Sequence, residues 1–211
     1  MTTVDYLVGL DVGQVHDFTA IAVIERQRHA TQLPEHRLRH LERLPLGTPY
    51  PLQVQRVSAL VRSVEERAFQ RYPAAQVRLI IDQTGVGRAV FDMLRRAVGV
   101  RIIAVTITGG TDVTGAAPEF RAPKRELVGT LQVLLQTGRL QVAAGMPLVD
   151  VLTTELQAFR VTVSDRGHDT YSNDPAASPN DDLVLALGLA TWIGERPGPL
   201  TEAQRRAIAP W

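Results

Sequence analysis

The sequence predicts an α/β fold: a mixed sheet that opens with three antiparallel strands and continues through alternating helices and strands. Three observations carry that expectation. Two β-rich runs near the start are joined by a short polar connector, continuous apolar runs of the kind parallel strands bury on both faces follow, and stretches of helical periodicity separate them. At 211 residues and 45% hydrophobic content the chain can bury one real core. It reads as a single domain over residues 1–194 with a peripheral tail over 195–211.

Each element has its own signal. Residues 4–12, "VDYLVGLDV", and 18–26, "FTAIAVIER", flank "GQVHD" as a hairpin would, and "RLRHLERL" supplies a third strand. Pro49 and Pro51 punctuate the chain before Gln53–Tyr72, where Val54, Val57, Leu60, Val61 and Val64 recur at helical spacing. "VRLIID" is a short buried strand, and Gly85 and Gly87 turn the chain into a helix around Val90, Leu94 and Ala97. "VRIIAVTIT" is another buried strand. The Gly/Thr-rich stretch "GGTDVTGAAPEFRAP" is long enough to be a mobile functional loop. Helices near Lys124–Gln136 and Leu148–Phe159 bracket a small strand, "RLQVA". A hairpin, "FRVTVSD" with "DTYS", precedes a last helix from about Asp181 to Gly194, in which Trp192 reads as core.

A three-strand meander, an alternating α/β section and an acid-bearing terminal helix is the element order of an RNase H-like domain. In such a sheet the first strand is central, the strand after the first helix lies beside it, and helices cover both faces. Asp11 and Asp82 would then stand side by side. Strand alternation puts Leu7 and Gly9 on the face of Asp11 and Tyr6, Val8 and Leu10 on the other, with Gly9 leaving room for a metal or a backbone to approach.

The chemistry rests on three acidic settings: Asp11 ending "YLVGLD", Asp82 ending "VRLIID", and Asp181-Asp182 opening "DDLVLALGLATW". Carboxylates gathered where apolar elements end either share a divalent cation or repel one another. Singly, each has a structural reading: Asp11 and Asp82 as turn residues, and Asn180, Asp181 and Asp182 as a helix N-cap. Jointly that reading weakens, because it does not require all three to fall where one fold brings them together, and a doublet exceeds what a cap needs.

Composition limits the alternatives. The net charge of +1, from 23 basic and 22 acidic residues, announces no nucleic-acid binder and leaves room for a local basic groove. Cysteine is absent, which excludes disulfides and thiolate metal sites. The start, "MTTVDYLVGLDVG", has neither a basic leader nor a long apolar run, so a soluble intracellular protein is expected, with no membrane partner.

Together "GLDVGQVHDFTAIAVIE", "LIIDQTGVGRAVFDML", "APKRELVGTLQVLLQTGRLQV" and "SPNDDLVLALGLA" resemble the C-terminal nuclease domain of the tailed-phage terminase large subunit, a relative of RNase H and RuvC-type resolvases. The resemblance spans roughly residues 5–194. It implies cleavage of double-stranded DNA during genome packaging, with two Mg²⁺ or Mn²⁺ ions held by Asp11, Asp82 and one or both of Asp181 and Asp182, Asp182 being slightly favoured. It also implies a phage or prophage origin in the bacterial cytoplasm, a monomer in isolation, and a packaging ATPase domain, small terminase subunit or portal as partners. Asn180 stands where many relatives have histidine, and no Walker A loop is present.

Lesser candidates surround these acids. Lys124, the sole lysine, with Arg121 and Arg125 forms a short basic strip suited to DNA phosphates. Little aromatic interleaving accompanies it, so base-specific readout is not indicated. His16 and Asp17 in the first connector, and His168 in the last hairpin, are candidates to orient water or touch DNA, with a surface turn as the plainer role for the first two. Three other readings stand beside the nuclease: a Holliday-junction resolvase, an actin-like or sugar-kinase-type ATP-binding domain, and a non-catalytic DNA-binding scaffold.

Overall fold

A computed structural model describes residues 2–13, 15–163, 169–173, 178 and 180–196. Strands β1 (Thr3–Asp11), β2 (Ala20–Arg28) and β3 (Glu35–Arg43) form the antiparallel meander expected from the hairpin signals. Helix α1 (Tyr50–Arg71) follows, its start set by Pro49 at the N-cap and a proline in the first turn, where a missing N–H costs nothing. Then come β4 (Gln76–Asp82), α2 (Gly87–Ala97), β5 (Arg101–Thr108), β6 (Thr114–Ala116) and β7 (Glu119–Pro123). The chain continues through α3 (Lys124–Gln136), β8 (Leu140–Val142), α4 (Val149–Ala158), the hairpin β9 (Phe159–Val163) with β10 (Asp169–Asn173), and α5 (Asp182–Glu195).

Among the described residues the main sheet has eight strands in the order β6-β7-β5-β4-β1-β2-β3-β8, and β9-β10 form a separate ribbon. The fold is RNase H-like, with β1 central as expected. The stretch 109–123 differs from the expected loop: β7 pairs parallel to β5, and β6 pairs antiparallel to β7. Phe120 and Ala122 alternate into the core there, a strand signal too short to register beside the surrounding glycines and threonines. None of the described helices is long and apolar enough to cross a membrane.

Two apolar layers flank the sheet. Val8 and Leu10 pack with α1 and α2 on one face, while Leu7, Ile80 and Ile103 pack with α3 and α5 on the other. Helix α5 is buried at every residue from Asp182 to Gly194, and its sequence is accordingly apolar all round, as for a helix enclosed between a sheet and other helices. Trp192 is buried and meets Phe120 edge-on, with centroids 5.4 Å apart.

Gly9 permits this packing. A Cβ at that position would overlap the carbonyl oxygen of Ala186, so it is the backbone of α5 that uses the room beside Asp11. The far end of α5 is tied down by charge. Arg26, fully buried, donates from Nη1 to the Gly194 carbonyl at 2.6 Å. Glu195 accepts from His36 Nε2 at 2.8 Å and from Arg139 at 2.9 Å and 2.8 Å. Burial opposes ionisation of Glu195, but the hydrogen bonds from His36 and Arg139 outweigh it and bring its pKa down to about 2.

Two outcomes follow. Gly9→Ala should cost roughly 1–3 kcal/mol of unfolding free energy in urea titrations, whereas Gly99→Ala, where a Cβ meets open space, should change it by less than about 0.5 kcal/mol. Because Glu195 ionises more readily folded than unfolded, its contribution is complete above its ordinary pKa and fades as pH falls toward 2. Glu195→Gln should therefore lose roughly 1–2 kcal/mol at pH 7, less than the full shift because solvent screens the partly exposed carboxylate, with the two proteins converging in acid.

Candidate active site

The parallel register of β1 and β4 runs to Leu10 opposite Ile81, so Asp11 and Asp82, the next residue of each strand, end side by side. Helix α5 crosses the sheet with its N-terminus at that same end, bringing Asp181 and Asp182 to them. The electrostatics record the convergence. The pKa of Asp11 is raised well above the usual carboxylate range, first by burial, then by Asp82, Asp182 and Asp181 in that order, with Lys124 opposing.

The local sequence at Asp82 builds a tight strand-to-helix turn. Its Oδ1 accepts the Thr84 N–H at 2.8 Å, and the Thr84 hydroxyl oxygen accepts the Ile107 N–H at 2.9 Å, locking the turn to β5. Gly85 adopts φ +55°, and a Cβ at Gly87 would overlap the Asp82 carbonyl oxygen, which accounts for both glycines of "DQTGVG". Asp82 thus serves the turn and still faces the cluster. Burial raises its pKa, against the Thr84 bonds and Lys124.

The doublet is divided between two cations. Asp182, 5% exposed, receives a fork from Arg43, Nε to Oδ2 at 2.6 Å and Nη2 to Oδ1 at 2.9 Å. Asp181 pairs with Lys124 Nζ, which also lies 5.4 Å from the centroid of the Phe159 ring. Asp181 occupies the N-cap position of α5 without a side-chain capping bond. Glu155 of α4 does that work instead: its Oε2 accepts the Val184 N–H at 3.1 Å, while its Oε1 pairs with Arg43. Capping from a neighbouring helix frees both aspartates of the doublet to face the site.

Sequence reasoning missed Arg43 and Glu155, though each left a trace. Arg43 lies two residues after core Leu41 on the same strand face, and Glu155 lies three after core Leu152 on the same helix face. Both are charged groups on apolar faces. Arg43 is also packed over the Phe18 ring at 4.5 Å. Burial, followed by Asp182, pushes the Glu155 pKa up to about 7 against the pull of Arg43. Burial likewise raises that of Asp182, against its bonds to Arg43.

Among the described residues no group of three or more His, Asp or Glu side chains forms a ready-made metal cage. The donor set nevertheless fits a hard divalent cation: all-oxygen carboxylates, more of them than Arg43 and Lys124 neutralise, with Asp11 held at an unfavourable potential. Of the other sequence candidates, Arg121 is exposed on β7 and Arg125 donates to the Thr111 carbonyl at 2.7 Å. His16 and Asp17 are exposed in the connector between β1 and β2, and His168 lies outside the described residues.

No protein-family model matches the chain, and no curated protein matches its sequence. Its structure is similar to the Mn-soaked human cytomegalovirus terminase nuclease domain, with a TM-score of 0.55 at 12% identity, covering 89% of this chain and 83% of that one. The inhibitor-bound form of that domain superposes with a TM-score of 0.54 at 13% identity, covering 90% and 82%. Thermus thermophilus RuvC superposes more loosely, with a TM-score of 0.39 at 16% identity over 89% and 91% of the two chains. The likeness to the cytomegalovirus domain is one of fold, the RNase H-like fold.

The raised pKa of Asp11 has a stability consequence with a definite sign. Its ionised form is disfavoured in the folded state, so the penalty is absent below the ordinary carboxylate pKa and grows as pH rises through the elevated one. Asp11→Asn should therefore raise the Tm of the metal-free protein in EDTA at pH 7, and this gain should vanish near pH 4.

Proposed function

We propose that the chain is a divalent-metal-dependent endonuclease that hydrolyses DNA phosphodiester bonds, in the manner of a terminase nuclease cutting viral DNA during packaging. The observation that carries this reading is the gathering of Asp11, Asp82, Asp181 and Asp182 from β1, β4 and α5 at one end of an RNase H-like sheet. Mg²⁺ or Mn²⁺ ions bound there would supply Lewis acidity, ionisation of water near neutral pH and charge to balance the departing 3′-oxygen.

The chain's own residues have separable tasks. Asp11, whose ionisation is opposed by burial and by all three other aspartates, would hold the metal together with Asp82 and Asp182. Asp182 is preferred to Asp181 because it acts more strongly on Asp11 and because Arg43 orients its carboxylate, as partners behind metal ligands do. Glu155 holds Arg43 from behind, so that the guanidinium keeps a carboxylate partner whichever way Asp182 is drawn. Lys124, paired with Asp181, would turn to a DNA phosphate, with exposed Arg121 and neighbouring Arg125 continuing the contact to the backbone. A packaging ATPase, small subunit or portal would deliver the duplex in this reading.

Supercoiled plasmid incubated with wild-type protein and Mn²⁺ should be nicked and linearised, with activity abolished by EDTA. Asp11→Asn and Asp82→Asn should each lower the rate by at least about 10²-fold, and Asp182→Asn should cost more than Asp181→Asn. In parallel, Mn²⁺ should raise the Tm of wild type more than that of Asp11→Asn. Equal cleavage by wild type and Asp11→Asn would sink the assignment.

A further inference from the structure

A cavity of about 290 Å³ opens on the other face of the sheet, between α1 and strands β1, β2 and β3. It owes its lining to an irregularity in β3. The pairing of β2 with β3 passes from Val23 opposite His40 to Ile24 opposite Leu38, leaving Arg39 as an extra residue. Leu38 and Leu41 consequently both face the core beneath α5, and Arg39 and His40 both line the cavity. A regular strand would have sent one of those two to the opposite face.

From the helix side, Leu60, Ser63, Val64, Arg67 and Arg71 reach the same cavity at helical spacing. The charges do not cancel. Glu25, the carboxylate lining the cavity, is buried and already spoken for: Gln27 donates to its Oε1 at 2.8 Å, and Tyr6 and Arg39 donate to its Oε2 at 3.2 Å and 2.9 Å. His40 is bound to Glu42 at 2.9 Å, and Arg56 forks that same glutamate at 2.6 Å and 2.8 Å. Among the described residues Arg67 has no hydrogen bond or ion pair, and Arg71 bonds only the Tyr72 hydroxyl at 3.2 Å. Two exposed guanidinium groups, with the outer edge of Arg39 and the Ser63 hydroxyl, therefore surround a pit whose wall is apolar at Leu60 and Val64.

We infer that this cavity binds a small phosphate monoester, one phosphate group with a compact organic portion, at a site separate from the carboxylate cluster. Guanidinium forks match phosphate oxygens two at a time, and the apolar wall accepts the attached group. The volume lies at the low end for ligand pockets and admits a mononucleotide-sized molecule, whereas a duplex is too wide to enter. The site stands on a different face and on different residues from the proposed nuclease centre, so either can fail alone.

The test uses the full chain in EDTA at constant ionic strength, with deoxyadenosine monophosphate, inorganic phosphate, deoxyadenosine and a short DNA duplex as probes. The monophosphate should raise the Tm and give a saturable calorimetric isotherm, inorganic phosphate should bind more weakly, and deoxyadenosine should have no effect. Arg67→Gln with Arg71→Gln, both on the exposed surface of α1, should leave the ligand-free Tm unchanged and weaken the monophosphate by at least about tenfold. Asp11→Asn should bind it as wild type does. No saturable binding, or equal binding by the double variant, overturns the inference. Binding of duplex alone, lost in the double variant, also overturns it and assigns the arginines to backbone phosphate.

Discussion

The constraint on which the rest of the structure depends is the contact of two backbones, β1 at Gly9 and α5 at Ala186, with no side chain between them. An apolar helix laid this near a central strand must be buried along nearly its whole length, and α5 is, from Asp182 to Gly194. Burial at its N-terminus is what raises the carboxylate pKa values there, and its direction decides which end of the sheet receives Asp181 and Asp182. The site's electrostatics are thus a by-product of helix packing as much as of acidic residues.

The two ends of α5 handle charge in opposite ways. At the C-terminal end, Arg26 donates to the Gly194 carbonyl and pairs with Asp5, His36 and Arg139 donate to Glu195, and Glu195 ends up ionised down to about pH 2. That is a structural clamp in which each carboxylate has a guanidinium partner, Asp5 with Arg26 and Glu195 with Arg139. At the N-terminal end, the cations that Asp11, Asp82, Asp181, Asp182 and Glu155 meet among the described residues are Arg43 and Lys124, and burial drives Asp11, Asp82, Asp182 and Glu155 toward their neutral forms. Stability alone would not select that arrangement; a site that takes up added positive charge would. Glu155 shows the division of labour most clearly, since by bonding the Val184 N–H it relieves the doublet of capping.

Much of the fold is legible in the sequence. The meander, the buried runs ending in Asp11 and Asp82, and the acid at the head of α5 are local patterns, and the RNase H-like order follows from their succession along the chain. The stretch 109–123 is not legible as strand, because β6 and β7 owe their existence to pairing along β5, a partner that local composition does not reveal. The bulge at Arg39 is equally silent, since alternation read straight through it assigns Arg39 and His40 to opposite faces.

By itself, then, the sequence determined which residues are acidic at the ends of apolar elements, and that sufficed to single out Asp11, Asp82, Asp181 and Asp182, because strand and helix periodicities are local properties of the chain. Only the tertiary structure decided how those acids are held. Arg43 lies 139 residues from Asp182, and Lys124 lies 57 from Asp181. Ion pairs between positions so far apart depend on how β3, α3 and α5 are brought together, and no local pattern encodes that.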